Sequence, residues 1–271
     1  MDITNQKIGF IGGGQMAEAL VRGLLATGLC APETLTVIDP NGARQDFLRA
    51  QYGINCLDDP QELCRCCTVL IAAIKPQIAT QVLAPYSPHL TGDHLVISIM
   101  AGLSLQSLAA LFSKPARLIR VMPNTPALVL SAASAFCANA HATADDRALA
   151  LAIFSAVGTC TEVPEQMIDA VTGLSGSGPG YVFTFIEALI DGGVLAGLPR
   201  TTAEQLVLQT VYGSVKLALE TKEHPALLKG RVTSPGGTTI AGLLTLEEEA
   251  FRGTVMKAVL AATRRSKELG A

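Results

Sequence analysis

The segment Lys7-Ile8-Gly9-Phe10-Ile11 is a short apolar run that ends at three consecutive glycines, Gly12, Gly13 and Gly14. Beyond them, residues 17–25 set Leu20, Leu24 and Leu25 on one helical face. The same grammar repeats. Leu35-Thr36-Val37-Ile38 is a second strand candidate, and residues 69–74, Val-Leu-Ile-Ala-Ala-Ile, form a third with no polar position, as expected of a strand covered on both faces. Strands alternating with helices at this spacing predict a parallel sheet with right-handed crossovers. Further strands are expected at residues 95–99, 117–121, around 133–137 and at 158–163.

The glycines carry chemistry as well as shape. Ile8-Gly9-Phe10-Ile11-Gly12-Gly13-Gly14-Gln15-Met16-Ala17 is a strand running into G-x-G-x-x-A. Gly12 allows the tight turn, Gly14 lets the backbone approach a pyrophosphate, and the small Ala17 lets helix and strand pack closely. The helix N-terminus that follows offers free N–H groups and a positive dipole end to phosphates. Asp39 ends the next strand, where a carboxylate accepts hydrogen bonds from an adenosine 2′-hydroxyl and repels a 2′-phosphate, which favours NADH over NADPH. The alternative role for Asp39 is to cap a turn before Pro40 and Gly42. Ala73-Ile74-Lys75-Pro76 closes the third strand at the same sheet edge, where Lys75 either meets phosphate or helps shape the nicotinamide side, or is a solvated strand-end lysine.

From about Pro164 the β-branched runs give way to long helical patterns at residues 178–198, 202–220 and 251–269. The first carries Tyr181, Phe185, Ala188, Leu189 and Gly192 at spacings of three and four. Its several glycines each cost roughly 1 kcal/mol against Ala in a helix, which points to close packing against another backbone. The expected architecture is α/β: a Rossmann-like, doubly wound and mainly parallel sheet domain over residues 1–164, then an all-helical substrate-binding and oligomerisation domain over 165–271.

Charge narrows the partners. Twenty basic against 23 acidic residues give a net charge of −3, with no Lys/Arg run to track phosphates, so nucleic acid is not an expected partner. Hydrophobic residues make up 49% of the chain, yet the long uncharged stretch 121–140 holds Pro123, Asn124 and Pro126, and 182–198 is broken by Glu187 and Asp191, so no membrane span is expected. Met1-Asp2-Ile3-Thr4-Asn5-Gln6-Lys7 has no basic stretch leading into an apolar one, so no secretory leader is read and a cytoplasmic location is expected. Cys64, Cys66 and Cys67 are the one cysteine cluster; with no second donor group following, they read as reduced thiols rather than metal ligands.

Two stretches of the second half are too irregular for packing alone. Leu174-Ser175-Gly176-Ser177-Gly178-Pro179-Gly180 opens a long helix with proline in its first turn. Val232-Thr233-Ser234-Pro235-Gly236-Gly237-Thr238-Thr239-Ile240 offers backbone N–H groups and hydroxyls suited to a small carboxylate and a polar ring atom, or else is a capped helix start. With these on the page, the chain resembles the Δ1-pyrroline-5-carboxylate reductase family, through FIGGGQMA (Phe10 onward), AIKP (Ala73), MPNTP (Met122), DAVTGLSGSGPGY (Asp169) and above all VTSPGGTTI (Val232). The motifs span nearly the whole chain.

The resemblance implies hydride transfer from NADPH or NADH, without metal, to the C=N bond of 1-pyrroline-5-carboxylate, giving L-proline in the last step of proline biosynthesis. It implies interlocked homodimers that in the family often assemble into decamers. Carried over by motif, Thr239 hydrogen-bonds the substrate's ring nitrogen, the Gly237 and Thr238 backbone receives its carboxylate, and Glu165 lines the proline site. The cofactor positions implied are Ile11, Gly12, Gly13, Gly14, Gln15, Met16, Asp39, Asn41, Ala73, Ile74, Lys75, Pro76, Met100 and Ala101.

A protonated C=N carbon accepts hydride readily, so placement and hydrogen bonding supply much of the acceleration. Thr239 is a poor acid and is assigned orientation, with the proton coming from a preprotonated substrate or water. Gly230 and Arg231 precede VTSPGG where many family members carry an Asp and a small, apolar or amide residue, and Arg231 is either a 2′-phosphate contact, opposing Asp39, or an exposed loop cation. Pro60 and Ser131 also depart from common family residues, an Asn and a Gly. Two other readings are a hydroxy-acid dehydrogenase, which needs a Lys or His base that no equivalent motif provides, and a non-catalytic dinucleotide sensor, against which the intact VTSPGGTT argues.

Overall fold

The computed structural model describes residues 6–270; most of the segment read above for a leader lies outside the described residues. The chain enters as β1 (Ile8–Ile11), α1 (Gln15–Ala26), β2 (Leu35–Ile38), α2 (Gly42–Tyr52), β3 (Asn55–Cys56), α3 (Pro60–Cys66) and β4 (Val69–Ala72). It continues through α4 (Ala79–Leu83), β5 (Leu95–Ser98), α5 (Leu105–Ala109), β6 (Arg117–Met122), β7 (Ala132–Ala138), α6 (Ala144–Ser155), β8 (Gly158–Glu162) and α7 (Ile168–Val171). The eight strands form one sheet in the order β3-β2-β1-β4-β5-β6-β7-β8. All neighbours are parallel except β6 and β7, so the sheet is doubly wound and mainly parallel, as expected.

Alternating side chains explain why β1 and β4 are apolar throughout. Phe10 and Ile71 join the core on one face with Leu20 and Leu24 of α1 and Ile153 and Phe154 of α6. Ile11 and Leu70 join the core on the other, with Leu63 of α3 and Leu105 of α5. Helix starts follow local chemistry: Asn41, Asp59 and Ser104 accept backbone N–H groups as N-caps, and Thr143 with Asp146 closes a capping box at α6. The short edge strand β3 has no counterpart in the sequence reading, because Asn55–Cys56 has neither length nor apolar pattern.

The chain divides into two compact units, one comprising residues up to Ser177 together with those from Ala261 onward, the other 178–260. This differs from a boundary at 164, for a physical reason. Ile168 is fully buried in the second sheet core, and Asp169 Oδ1 accepts the Ser266 hydroxyl at 2.7 Å, so α7 and residues after 260 belong with the sheet. A π-helical turn, Thr172–Gly176, follows α7.

The second unit holds α8 (Gly178–Leu195), α9 (Arg200–Thr221), α10 (Pro225–Arg231), α11 (Thr238–Glu248) and the first half of α12 (Phe251–Gly270). A β-carbon on Gly193 would lie 3.1 Å from the Ala203 Cβ, so the glycine lets α8 and α9 approach closely. Among the described residues of this unit only Ala203 is buried, while Phe183 is 64% and Leu219 72% exposed. One copy of the unit has no core of its own. Among the described residues no helix is long and apolar enough to cross a membrane.

Candidate active site

The glycine turn after β1 is built for backbone access. Gly12 sits at φ +96° and donates to Ile38 O at 2.8 Å; a β-carbon there would lie 2.6 Å from Ala73 O. Ala73 N–H in turn donates to Ile11 O, so the turn and the end of β4 brace each other. Gly14 is the N-cap residue of α1, with no side-chain cap and nothing within 4 Å of where a β-carbon would stand. The first-turn N–H groups of α1 therefore face an unobstructed approach, which suits a pyrophosphate.

Asp39 does structural work at the tip of β2. Its Oδ2 accepts the Gly13 N–H at 2.8 Å and its Oδ1 the Asn41 N–H at 2.9 Å, so the turn-capping role is present and the carboxylate is aimed at the glycine loop. Beside it lies a group the sequence reading did not single out. Arg44 Nε donates to Gly13 O, its Nη2 pairs with Glu18, and its guanidinium lies 5.1 Å from the Phe47 ring centre. Tyr52 OH donates to Glu18 at 2.8 Å. Burial pushes the Glu18 carboxyl up, but the hydrogen bonds from Arg44 and Tyr52 outweigh it and leave the group below its ordinary value. These partners lie 26 and 34 residues apart, beyond the reach of a motif.

A cleft of about 420 Å³ opens above the strand ends. Its walls are Gly14 to Met16, Ala73 to Pro76, Ile99 to Ala101, Met122 to Thr125, and Gly176. The structure thus gathers Gly14, Gln15, Met16, Ala73, Ile74, Lys75, Pro76, Met100 and Ala101, all named from the sequence. Ile11, Gly12 and Gly13 are buried and do not border the cleft. Asp39 and Asn41 sit outside it, at the far end of the turn, and Lys75 is exposed at its lip. Ile99, Met122 to Thr125 and Gly176 are the additions; the MPNTP motif was visible, but not that β6 delivers it here. The order of β1 and β4 in the sheet places this opening at the switch point where dinucleotides bind in such folds, and the residues fit one.

Glu165 lies apart from this cleft. Its Oε1 accepts the Leu105 N–H at 2.6 Å and lies 3.7 Å from Arg120, which also reaches Asp169 at 3.7 Å. It borders a separate cavity of about 300 Å³ with Cys137, Arg147 and Glu162 and does not line the cleft. The carboxylate is held by the start of α5 and by a guanidinium that is itself buried.

In the helical unit, VTSPGGTT turns through Gly236 at φ +66° into α11. The Gly237 N–H donates to Ser234 O at 3.0 Å and so closes the turn. The first-turn N–H groups left without intrahelical partners are those of Thr238, Thr239 and Ile240, and both threonines are exposed. Arg231 pairs with Glu223 at 2.8 Å. All seven cysteines are free, and no group of three or more His, Cys, Asp or Glu among the described residues is arranged to hold a metal.

Comparison with known proteins agrees with this geometry. Residues 165–269 match the family model for pyrroline-5-carboxylate reductase dimerisation, and 7–102 the model described as NADP oxidoreductase, coenzyme F420-dependent. A pyrroline-5-carboxylate reductase of Synechocystis is 52% identical over 97% of this chain and 98% of its own. The structure of a pyrroline-5-carboxylate reductase from Coxiella burnetii superposes with a TM-score of 0.93 at 36% identity, covering 99% of this chain and 100% of that one. That of Plasmodium falciparum pyrroline carboxylate reductase with NADP bound gives 0.88 at 37% identity, over 99% and 100%. The chain belongs to the pyrroline-5-carboxylate reductase family.

Proposed function

We infer that the chain reduces the C=N bond of 1-pyrroline-5-carboxylate to L-proline with hydride from NAD(P)H, the last step of proline biosynthesis. The observation that carries this reading is the cleft at the C-terminal edge of β1 and β4, in a chain 52% identical to a reductase of that name along almost its full length.

Gly12 and Gly14 admit the pyrophosphate to the first-turn N–H groups of α1, and the segments from Ala73 to Pro76 and from Met100 to Ala101 hold the nicotinamide half. When bound, the reduced nicotinamide supplies the hydride. The first-turn N–H groups of Thr238 and Thr239 receive the substrate carboxylate, and the Thr239 hydroxyl orients the ring nitrogen. Thr239 does not supply the proton; that comes from a preprotonated substrate or water. Asp39, aimed by Gly13 and Asn41, tilts the preference toward NADH, because Arg231 already has Glu223 as its partner.

The exposed apolar surface of the helical unit supports a homodimer, and the decamer of five dimers is the larger assembly that the resemblance implies. Seven free thiols fit a reducing, cytoplasmic setting. The test follows loss of reduced-nicotinamide absorbance in a mixture of purified protein, NADH or NADPH, and 1-pyrroline-5-carboxylate. Substrate-dependent loss with at least one cofactor is expected, and none with either sinks the reading.

A further inference from the structure

We propose that Asn124 is a positioning residue for hydride transfer, one that clasps the floor of the cleft to the π-helical turn Thr172–Gly176; the proposal rests on the reductase reading above. Asn124 is 9% exposed, and both ends of its amide are used. Nδ2 donates to Ser175 O at 3.0 Å, and Oδ1 accepts the Ala133 N–H at 2.9 Å. A carbonyl on one side and an N–H on the other require a donor and an acceptor in one planar group of this size, which only an amide supplies.

What the clasp holds is specific. Met122 to Thr125, Asn124 among them, form one wall of the cleft, and Gly176 forms part of another. A β-carbon on Gly176 would lie 2.6 Å from Met122 Cε, the end of a flexible side chain, so the two walls approach closely at this point. The turn itself is wide: Ser177 N–H reaches back to Thr172 O at 2.8 Å. A π-helical turn is rare and frequently sits at a functional site, and here Asn124 is the side-chain partner of its Ser175 carbonyl. Loosening it shifts the cleft wall that Asn124 shares with Met122, Pro123 and Thr125, and a displacement of about 1 Å near a reacting centre costs on the order of 100-fold in rate.

The experiment uses the assembled wild-type enzyme beside Asn124→Asp, which keeps the shape but turns the donor into an acceptor facing Ser175 O, and Asn124→Ser, which relieves any crowding. Steady-state kinetics with protonated and 4-deuterated reduced nicotinamide give kcat, both KM values and the isotope effect, and hydrogen exchange is followed in the peptide over 172–177. For both variants kcat should fall roughly 10- to 100-fold, with KM values within about threefold and a larger deuterium effect as hydride transfer becomes limiting. Exchange at 172–177 should quicken more than elsewhere. A kcat near wild type in Asn124→Asp overturns the proposal, as does a loss explained by fewer active sites with the isotope effect unchanged. Unchanged exchange at 172–177 overturns the clasp whether or not any variant turns over. Absence of wild-type turnover is a separate result, against the reductase reading itself.

Discussion

The Oδ2 of Asp39 takes the N–H of Gly13 at 2.8 Å, which fastens the end of β2 to the middle glycine of the phosphate turn. One carboxylate thus shapes the loop, and in the proposed reductase it also sets the charge that an adenosine ribose meets. Replacing it with Ser should raise the NADPH-to-NADH ratio of kcat/KM by about tenfold or more, the size of one removed charge repulsion, and weaken both cofactors modestly through the looser turn. Arg231→Ala should leave the ratio alone. Kinetics with both cofactors check this; a ratio that moves with Arg231 and not with Asp39 would reverse the assignment.

Thr239→Ala should lower the rate about 10- to 100-fold, corresponding to a charge-assisted hydrogen bond of about 1.5–3 kcal/mol. The residue is exposed at the start of α11, so thermal stability should hold. An unchanged rate would remove its hydroxyl from the mechanism.

Gly23→Ala tests packing against propensity. Alanine gains about 1 kcal/mol in a helix interior, but here its β-carbon would lie 2.5 Å from Val157 Cγ1 and 2.7 Å from Ala156 O. The backbone oxygen cannot step aside cheaply, and overpacking of this kind costs about 1–3 kcal/mol, so the variant should be less stable at fixed protein concentration. A raised urea midpoint would show that α1 and the loop before β8 are looser than described.

Buried thiols make an alkaline prediction. Burial pushes Cys67 and Cys137 up to about 12 and Cys64 up to about 11, from an ordinary 9.0. An acid whose folded pKa is raised stabilises the fold while both states keep the proton, and that contribution fades as pH climbs from about 9 through the folded values. Stability should therefore decline between pH 9 and 11, and Cys137→Val should flatten the decline. Glu18 acts with the opposite sign: held below 4.5, it contributes above that pH and is lost as the medium is acidified through its folded value. Urea midpoints across pH give both slopes; a Cys137→Val slope identical to wild type would remove that thiol from the account.

The helical unit should not exist alone. With Phe183, Leu195 and Leu219 exposed and only Ala203 buried among its described residues, light scattering should find a dimer or larger species, and Leu219→Asp should lower its size or its solubility. A stable monomer at working concentration would contradict this.

The sheet and the cofactor cleft were legible in the sequence because their signals are local: an apolar strand, a glycine turn, an acidic residue at the next strand end. Four residues in a row decide where β4 lies. Arg44, Asn124 and Glu165 were not legible in the same way, since what each does depends on a partner far along the chain: Glu18 for Arg44, Ser175 for Asn124, Leu105 for Glu165. That the compact units divide after Ser177 depends likewise on a distant partner, Ser266 for Asp169. A four-residue helix such as α7 has too little sequence to show that its Ile168 is received by the sheet.

The hydrogen bond from Ser266 to Asp169 spans 97 residues and encloses the helical unit as an insertion within the sheet unit. During synthesis, Asp169 leaves the ribosome well before the residues that complete its surroundings, so the dinucleotide unit waits, unfinished at one corner, while the whole helical excursion is made. A chain cut short after 260 lacks the hydroxyl that Asp169 accepts, and is one that never latched.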